Sequence, residues 1–239
     1  MMPCLEVAEV VPIIANDPDS TAAVPDAAGR QPGPGPAVPG DGWFRRHAPP
    51  VLMLALIWLA AAAGAPLALA LRYERAGIIA GQWWRLVTAH WVHLGAWHAL
   101  LDSMGLVLLW ALYGPLLRVR GMILALLAST VTVDAGLWFL QPGLQWYEGI
   151  SGLLHGLWAA GALLAMWRRV PMAWMPAALL AGKLVHEALG GPSAASSIMP
   201  VVTVAHLYGA AGGLAAGLAS MLAVRVRGSR YNPPPIGSS

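Results

Sequence analysis

Residues 147–156 read Tyr-Glu-Gly-Ile-Ser-Gly-Leu-Leu-His-Gly (YEGISGLLHG): a serine between glycines opens an apolar run, and a histidine follows one helical turn later. A serine in an apolar helix is ordinarily inert, because its hydroxyl bonds back to a carbonyl three or four residues earlier. Whether this one does more depends on what the rest of the chain brings to its level.

The composition decides the fold class. Hydrophobic residues make up 58% of the 239 and charged residues 10%. Soluble domains carry about 25% charged residues, so this chain lacks the polar surface to cover a water-soluble globule. An all-α, polytopic membrane protein is expected. The formal charge of +3 comes from arginines spread in pairs between apolar runs. That pattern excludes nucleic acid as a partner and names the lipid bilayer instead. The lone cysteine, Cys4, excludes an intrachain disulfide framework.

Residues 1–48 are rich in Pro, Gly, Ala and Asp and lack periodicity, so disorder is expected there. This leader lacks the basic start and early apolar core of a cleavable signal peptide. Residues 228–239 (GSRYNPPPIGSS) are expected to be unstructured as well, leaving 49–227 as the folded domain. A helix needs about 20 apolar residues to cross the hydrocarbon core, and six candidates satisfy this: 50–71, 98–117, 122–140, 150–167, 172–189 and 203–224. With the N-terminus inside, Arg45, Arg46, Arg118, Arg120, Arg168, Arg169, Arg225, Arg227 and Arg230 all fall on the cytoplasmic side. Outside stand only Arg72, Arg75 and Arg85. This asymmetry puts both termini in the cytoplasm. The first outer segment, Arg72–Trp97, is too aromatic for a linker and is expected to fold on the membrane surface, with Trp83, Trp84, Trp91 and Trp97 in the interfacial belt.

Under this topology spans 2, 4 and 6 all run inward, so their first turns share one depth near the outer face. Span 2 opens with His98 and Asp102, span 4 with Ser151, and span 6 with His206. Ionisable groups inside a membrane are costly and face the bundle interior or a water-filled cavity. Small residues accompany them at intervals of four: Gly152, Gly156 and Ala160 on span 4, and Ala205, Gly209, Gly213 and Gly217 on span 6. Such stripes let helix backbones approach closely, which would bring serine and imidazole within hydrogen-bonding reach. The chemistry such a pair can do is acyl transfer: neutral imidazole takes the serine proton, and donors must then face the oxyanion. Free N–H groups at the start of span 4 and His98 are the candidate donors, with Gly149 and Gly152 letting the backbone bend close to substrate.

These residues resemble the rhomboid intramembrane serine proteases, which share a six-helix core, a Gly-x-Ser-Gly motif opening the fourth span and a histidine in a glycine-rich sixth span. Here GISG (149–152) and AHLYGAAGGLAAGL (205–218) match in order and orientation, and HLGAWHALLD (93–102) resembles the second-span signature, with Asp102 where the family has asparagine. The stretches WYEGISGLLHG and AHLYGA are similar to the rhombosortase branch, by the Trp146-Tyr147 pair and His155. That resemblance implies a Ser-His dyad enzyme of the bacterial inner membrane without a cofactor. Its substrates would be exported proteins anchored by a C-terminal transmembrane helix that contains a Gly-Gly junction. By resemblance Ser151 is the nucleophile, His206 the general base, and His98 with the Ser151 amide the oxyanion stabiliser. Asp102 is expected to orient His98. The acyl group would pass to water or to an amine acceptor.

Three rival readings compete. His155 shares the helix face of Ser151 and competes with His206 for the role of base. His90, His93 and His98 could supply ligands to a metal, making a zinc enzyme or transporter, although no His-Glu-x-x-His motif is present. A non-catalytic relative that binds transmembrane helices would be expected to lack Ser151 or His206. Lys183 and Glu187, four apart on span 5, are expected to form a structural ion pair, with Asp134 as a second possible partner of Lys183. Glu148 is expected to favour the dipole of the serine helix.

Overall fold

The computed structural model describes residues 40–192 and 200–229, with side chains described over 46–192 and 200–224. Among the described residues seven α-helices form the frame: α1 (Gly40–Leu71), α2 (Arg75–Ile79), α3 (Arg85–Thr88), α4 (Ala96–Ala135), α5 (Ser151–Trp167), α6 (Trp174–Ala188) and α7 (Val204–Ser229). A 3₁₀ turn, Ala89–Trp91, leads toward α4, and a π-helical turn, Gly136–Leu140, ends it. The only sheet among the described residues is two residue pairs long: β1 (Tyr73–Glu74) pairs antiparallel with β2 (Trp146–Tyr147), setting Tyr73 opposite Tyr147 and Glu74 opposite Trp146.

The result is a helical membrane bundle. Arg46–Leu71, Ala96–Leu140 and Val204–Val224 are each long and apolar enough to cross a bilayer. The 45-residue stretch over Ala96–Leu140 is a hairpin, because Arg118 leaves helical geometry at φ 53° and ψ 175°. Neighbours prove the reversal. Before Arg118, Gly105 abuts Leu154 and Tyr113 fills the space beside Gly161, so this arm runs with α5. After it, Ser129 meets Gly156 and Val133 meets Gly152, so the second arm runs against α5. The expected second and third spans are these two arms.

Helix α5 has 17 residues and α6 has 15, both short for a full crossing. For α5 the shortfall is tolerable, since it is apolar on every face and buried along most of its length by the hairpin and α7. Its first residue therefore sits recessed among its neighbours.

Two expected boundaries shift. Helix α1 begins at Gly40, ahead of the boundary at 49, and α7 continues to Ser229, past 227. Composition could not register the contact that holds the entry to α1, a 3.2 Å hydrogen bond from Trp110 Nε1 to His47 Nδ1. The expected disorder of 1–39 and 230–239 lies outside the described residues.

The segment between α1 and α4 carries ordered structure of its own, and its arginines pin it. The Arg85 guanidinium, almost buried, donates to the carbonyls of Leu69 (3.0 Å) and Arg72 (2.8 Å) at the end of α1. Arg75 donates to Leu137, Trp138, Gln141 and Leu144 where the hairpin ends. Each satisfies carbonyls that a helix terminus leaves without partners. Trp83, Trp84 and Trp97 are exposed, whereas Trp91 packs against the core.

Candidate active site

Helices α5 and α7 lie parallel and in register, with Gly209 against Gly152, Gly213 against Gly156, and Gly217 beside Ala160. A methyl group on Gly209 or Gly213 would overlap the facing Gly152 or Gly156 carbonyl. The second arm of α4 locks this approach. Ser129 Oγ donates to the Gly209 carbonyl at 3.0 Å, and Thr132 Oγ1 donates to that of Tyr208 at 2.8 Å. Backbones this close carry their first turns together, and His206 Nε2 stands 3.1 Å from Ser151 Oγ.

His206 is buried, and three groups surround its ring. The His155 ring stacks on it at a centroid separation of 4.0 Å and an interplanar angle of 14°. Glu187 Oε2 lies 2.9 Å from its Nδ1. Lys183 Nζ stands 3.4 Å from the same nitrogen and is paired with Glu187 Oε1. His155 itself is turned away from the serine hydroxyl. Its Nδ1–H donates to the Ser151 carbonyl at 2.7 Å, and its Nε2 is buried without a protein partner. Of the two competing imidazoles, His206 is the one on Ser151 Oγ.

The other side of Ser151 is built from the turn before α5. Gly149 has φ +116°, a conformation that disfavours any side chain, and a Cβ there would come within 2.7 Å of the His98 ring. The turn is held by Gly149 N–H donating to Ala89 O (3.0 Å) and by Tyr147 OH donating to Gly149 O (2.8 Å). Burial pushes the Tyr147 phenol well above its ordinary pKa, with Asp102 and Asp134 acting in the same direction, so it stays a donor. The first N–H groups of α5 have no partner within the helix and lie on this side. Asp102 Oδ2 is shared between His93 Nε2 at 3.1 Å and His98 Nε2 at 3.5 Å. Its closer partner is therefore His93 rather than the expected His98. The Leu94 N–H points to His98 Nδ1 at 3.4 Å, which leaves the His98 proton on Nε2.

A cavity of about 300 Å³ opens beside the serine between the first arm of α4 and α6. Leu101, Leu108 and Leu112 line one wall, Pro176 and Leu179 the other, and Ser151, His155 and Lys183 stand at its end. Its walls are largely apolar.

The remaining expectations sort by distance. His90 pairs with Asp134 (3.2 Å) instead of joining His93 and His98. That same pairing takes Asp134 from Lys183, correcting the second pairing considered for the lysine. Among the described residues no group of three or more His, Cys, Asp or Glu side chains is placed to hold a metal ion. Glu148 is buried near Arg72 and His93; burial raises its carboxyl pKa, while the Arg72 guanidinium and then His93 pull it down. Sequence reasoning missed the second contact of Glu187, because an i, i+4 pair with Lys183 accounts for only one carboxylate oxygen. The signal available was a charged pair in an apolar span whose companion helix carries the histidine.

Residues 80–222 match the family model described as Rhomboid domain. The chain is also 26% identical over 155 residues to a Bacillus subtilis (strain 168) protein named "Putative rhomboid protease YdcA", a match that spans 65% of this chain and 74% of the relative.

Proposed function

Since the chain belongs to the rhomboid family of intramembrane serine proteases, which act on membrane-protein substrates within the bilayer, we propose that Ser151 is its nucleophile and His206 its general base. The observation that carries this reading is the 3.1 Å approach of His206 Nε2 to Ser151 Oγ across a glycine-lined helix contact. His206 takes the hydroxyl proton as Oγ adds to the scissile carbonyl carbon. The resulting oxyanion is met by the free N–H groups at the start of α5, Ser151 among them, and by His98. When the intermediate collapses, His206 returns the proton to the departing amine and an ester on Ser151 remains. Water or an amine acceptor then takes the acyl group, with His206 accepting the proton of the attacking molecule.

The substrate is a transmembrane anchor entering sideways through the groove between the first arm of α4 and α6. A helix hides its carbonyls in internal hydrogen bonds, so the cleaved segment must unwind. A Gly-Gly junction does so at small cost, because glycine is the poorest helix former after proline. This supports the likeness to rhombosortases and a C-terminal Gly-Gly anchor on exported proteins. The arginine distribution supports an inner-membrane location with both termini in the cytoplasm and the site opening to the outer side.

The test is co-expression of wild type or Ser151→Ala with an anchored Gly-Gly reporter, followed by mass spectrometry of the released product. Cleavage at the junction by wild type alone is expected. Equal processing by both would sink the assignment. An added mass on the new C-terminus would show transfer to an amine in place of hydrolysis.

A further inference from the structure

Resting on that reading of Ser151 and His206, we propose that Glu187 is a positioning residue that converts the Ser-His pair into a Ser151–His206–Glu187 triad, with Lys183 holding the carboxylate in place. An imidazole can take a proton on Nε2 only if Nδ1 carries the hydrogen. Glu187 Oε2, 2.9 Å from Nδ1, is an acceptor and enforces that tautomer. The resulting Nε2 lone pair faces Ser151 Oγ. Lys183 Nζ cannot donate to an Nδ1 that already bears hydrogen, so its 3.4 Å approach there is proximity, and its bond goes to Glu187 Oε1.

An ion pair between Lys183 and Glu187 serving stability alone would use one carboxylate oxygen and leave the other indifferent. Here the second oxygen is spent on the histidine, at the last turn of α6, with both side chains almost fully buried. The lysine cancels the charge of the carboxylate in the resting enzyme. When His206 becomes an imidazolium, the positive charge forms directly against Glu187, with nothing to rearrange. His155, stacked on the ring, limits its tilt. Removing the orienting acid from a triad of this kind lowers kcat by roughly 10⁴-fold, because the imidazole adopts the wrong tautomer.

The experiment measures the rate at which a fluorophosphonate labels the full-length enzyme in detergent, together with kcat per titrated site on the Gly-Gly reporter. The variants are Glu187→Gln, Glu187→Asp, Lys183→Met and the double Lys183→Met/Glu187→Gln, with Ser151→Ala as control. Glu187→Gln is expected to lower labelling rate and kcat by roughly 10²–10⁴-fold with KM changed less than about threefold, and Glu187→Asp to recover at least about tenfold of the loss. The double variant removes both charges, so no unpaired ion is left to unfold the protein. It is expected to remain as slow as Glu187→Gln, with Lys183→Met alone well above both. Overturning the proposal would take a double variant as fast per titrated site as Lys183→Met, with only the melting temperature lowered. Labelling of Ser151→Ala at the wild-type rate would instead remove the serine assignment beneath it.

Discussion

At the scale of single residues, the arrangement separates two histidines that occupy the same few ångström. His206 offers Nε2 to Ser151, whereas His155 spends Nδ1 on the Ser151 carbonyl and supports the neighbouring ring. His206→Ala is expected to lower kcat by roughly 10²–10⁴-fold, the range for a general base, and His155→Ala by far less, about tenfold. Steady-state kinetics on the reporter check the order, and abolished cleavage in His155→Ala alone would reverse the roles. Glu148 yields a prediction in pH. Burial raises its carboxyl pKa over the opposing pull of Arg72 and His93, so the folded state holds the proton more tightly than the unfolded chain does. Its contribution to stability is therefore lost as pH rises from the unfolded value through the raised one. Glu148→Gln is expected to raise the melting temperature near neutral pH by a few degrees and to leave it unchanged below roughly pH 4.

At the scale of elements, the α5–α7 contact is what makes the site. Serine and histidine stand 55 positions apart in the chain, and glycine-to-carbonyl packing sets them at hydrogen-bonding distance. Gly209→Ala and Gly213→Ala would force these backbones apart, an overpacking cost of about 1–3 kcal/mol. Both are expected to lose most activity, while Gly143→Ala, where a Cβ meets nothing within 4 Å, should match wild type in activity and melting. The stripes were legible in the sequence because a four-residue repeat of small side chains has a single physical use in a membrane helix. The turn at Arg118 was legible as well, because Arg118 and Arg120 interrupt the apolar run between the second and third spans. The β1–β2 pairing left no trace, because two residues per strand carry no periodicity. Asp102 illustrates a partial reading: its place near His98 follows from helix spacing, but its closer bond to His93 depends on how the preceding loop folds.

At the scale of the whole molecule, a recessed short helix packed between the α4 hairpin and α7 answers two requirements of the proposed chemistry. The serine must meet water, and the substrate must arrive from lipid. Helix α5 begins recessed among its neighbours, and the apolar cavity between the first arm of α4 and α6 is the proposed path from lipid. The proposed orientation is open to chemical labelling. With Cys4 replaced, a cysteine at Gly143 should react with a membrane-impermeant maleimide in intact spheroplasts, and one at Arg169 only after permeabilisation. The same depth argument read Ser151, His98 and His206 as neighbours from sequence, because span direction and arginine placement fix which helix ends share a face. Glu187 escaped it, being at the far end of a helix that runs the other way and already matched in sequence by Lys183 four residues earlier. The proposed chemistry turns on one side chain being activated by one other. Peptide mapping of the enzyme after fluorophosphonate treatment tests this most directly. The adduct is expected on Ser151, formed by wild type and by His155→Ala but not by His206→Ala. An adduct on another residue, or equal labelling of Ser151 in His206→Ala, would contradict it.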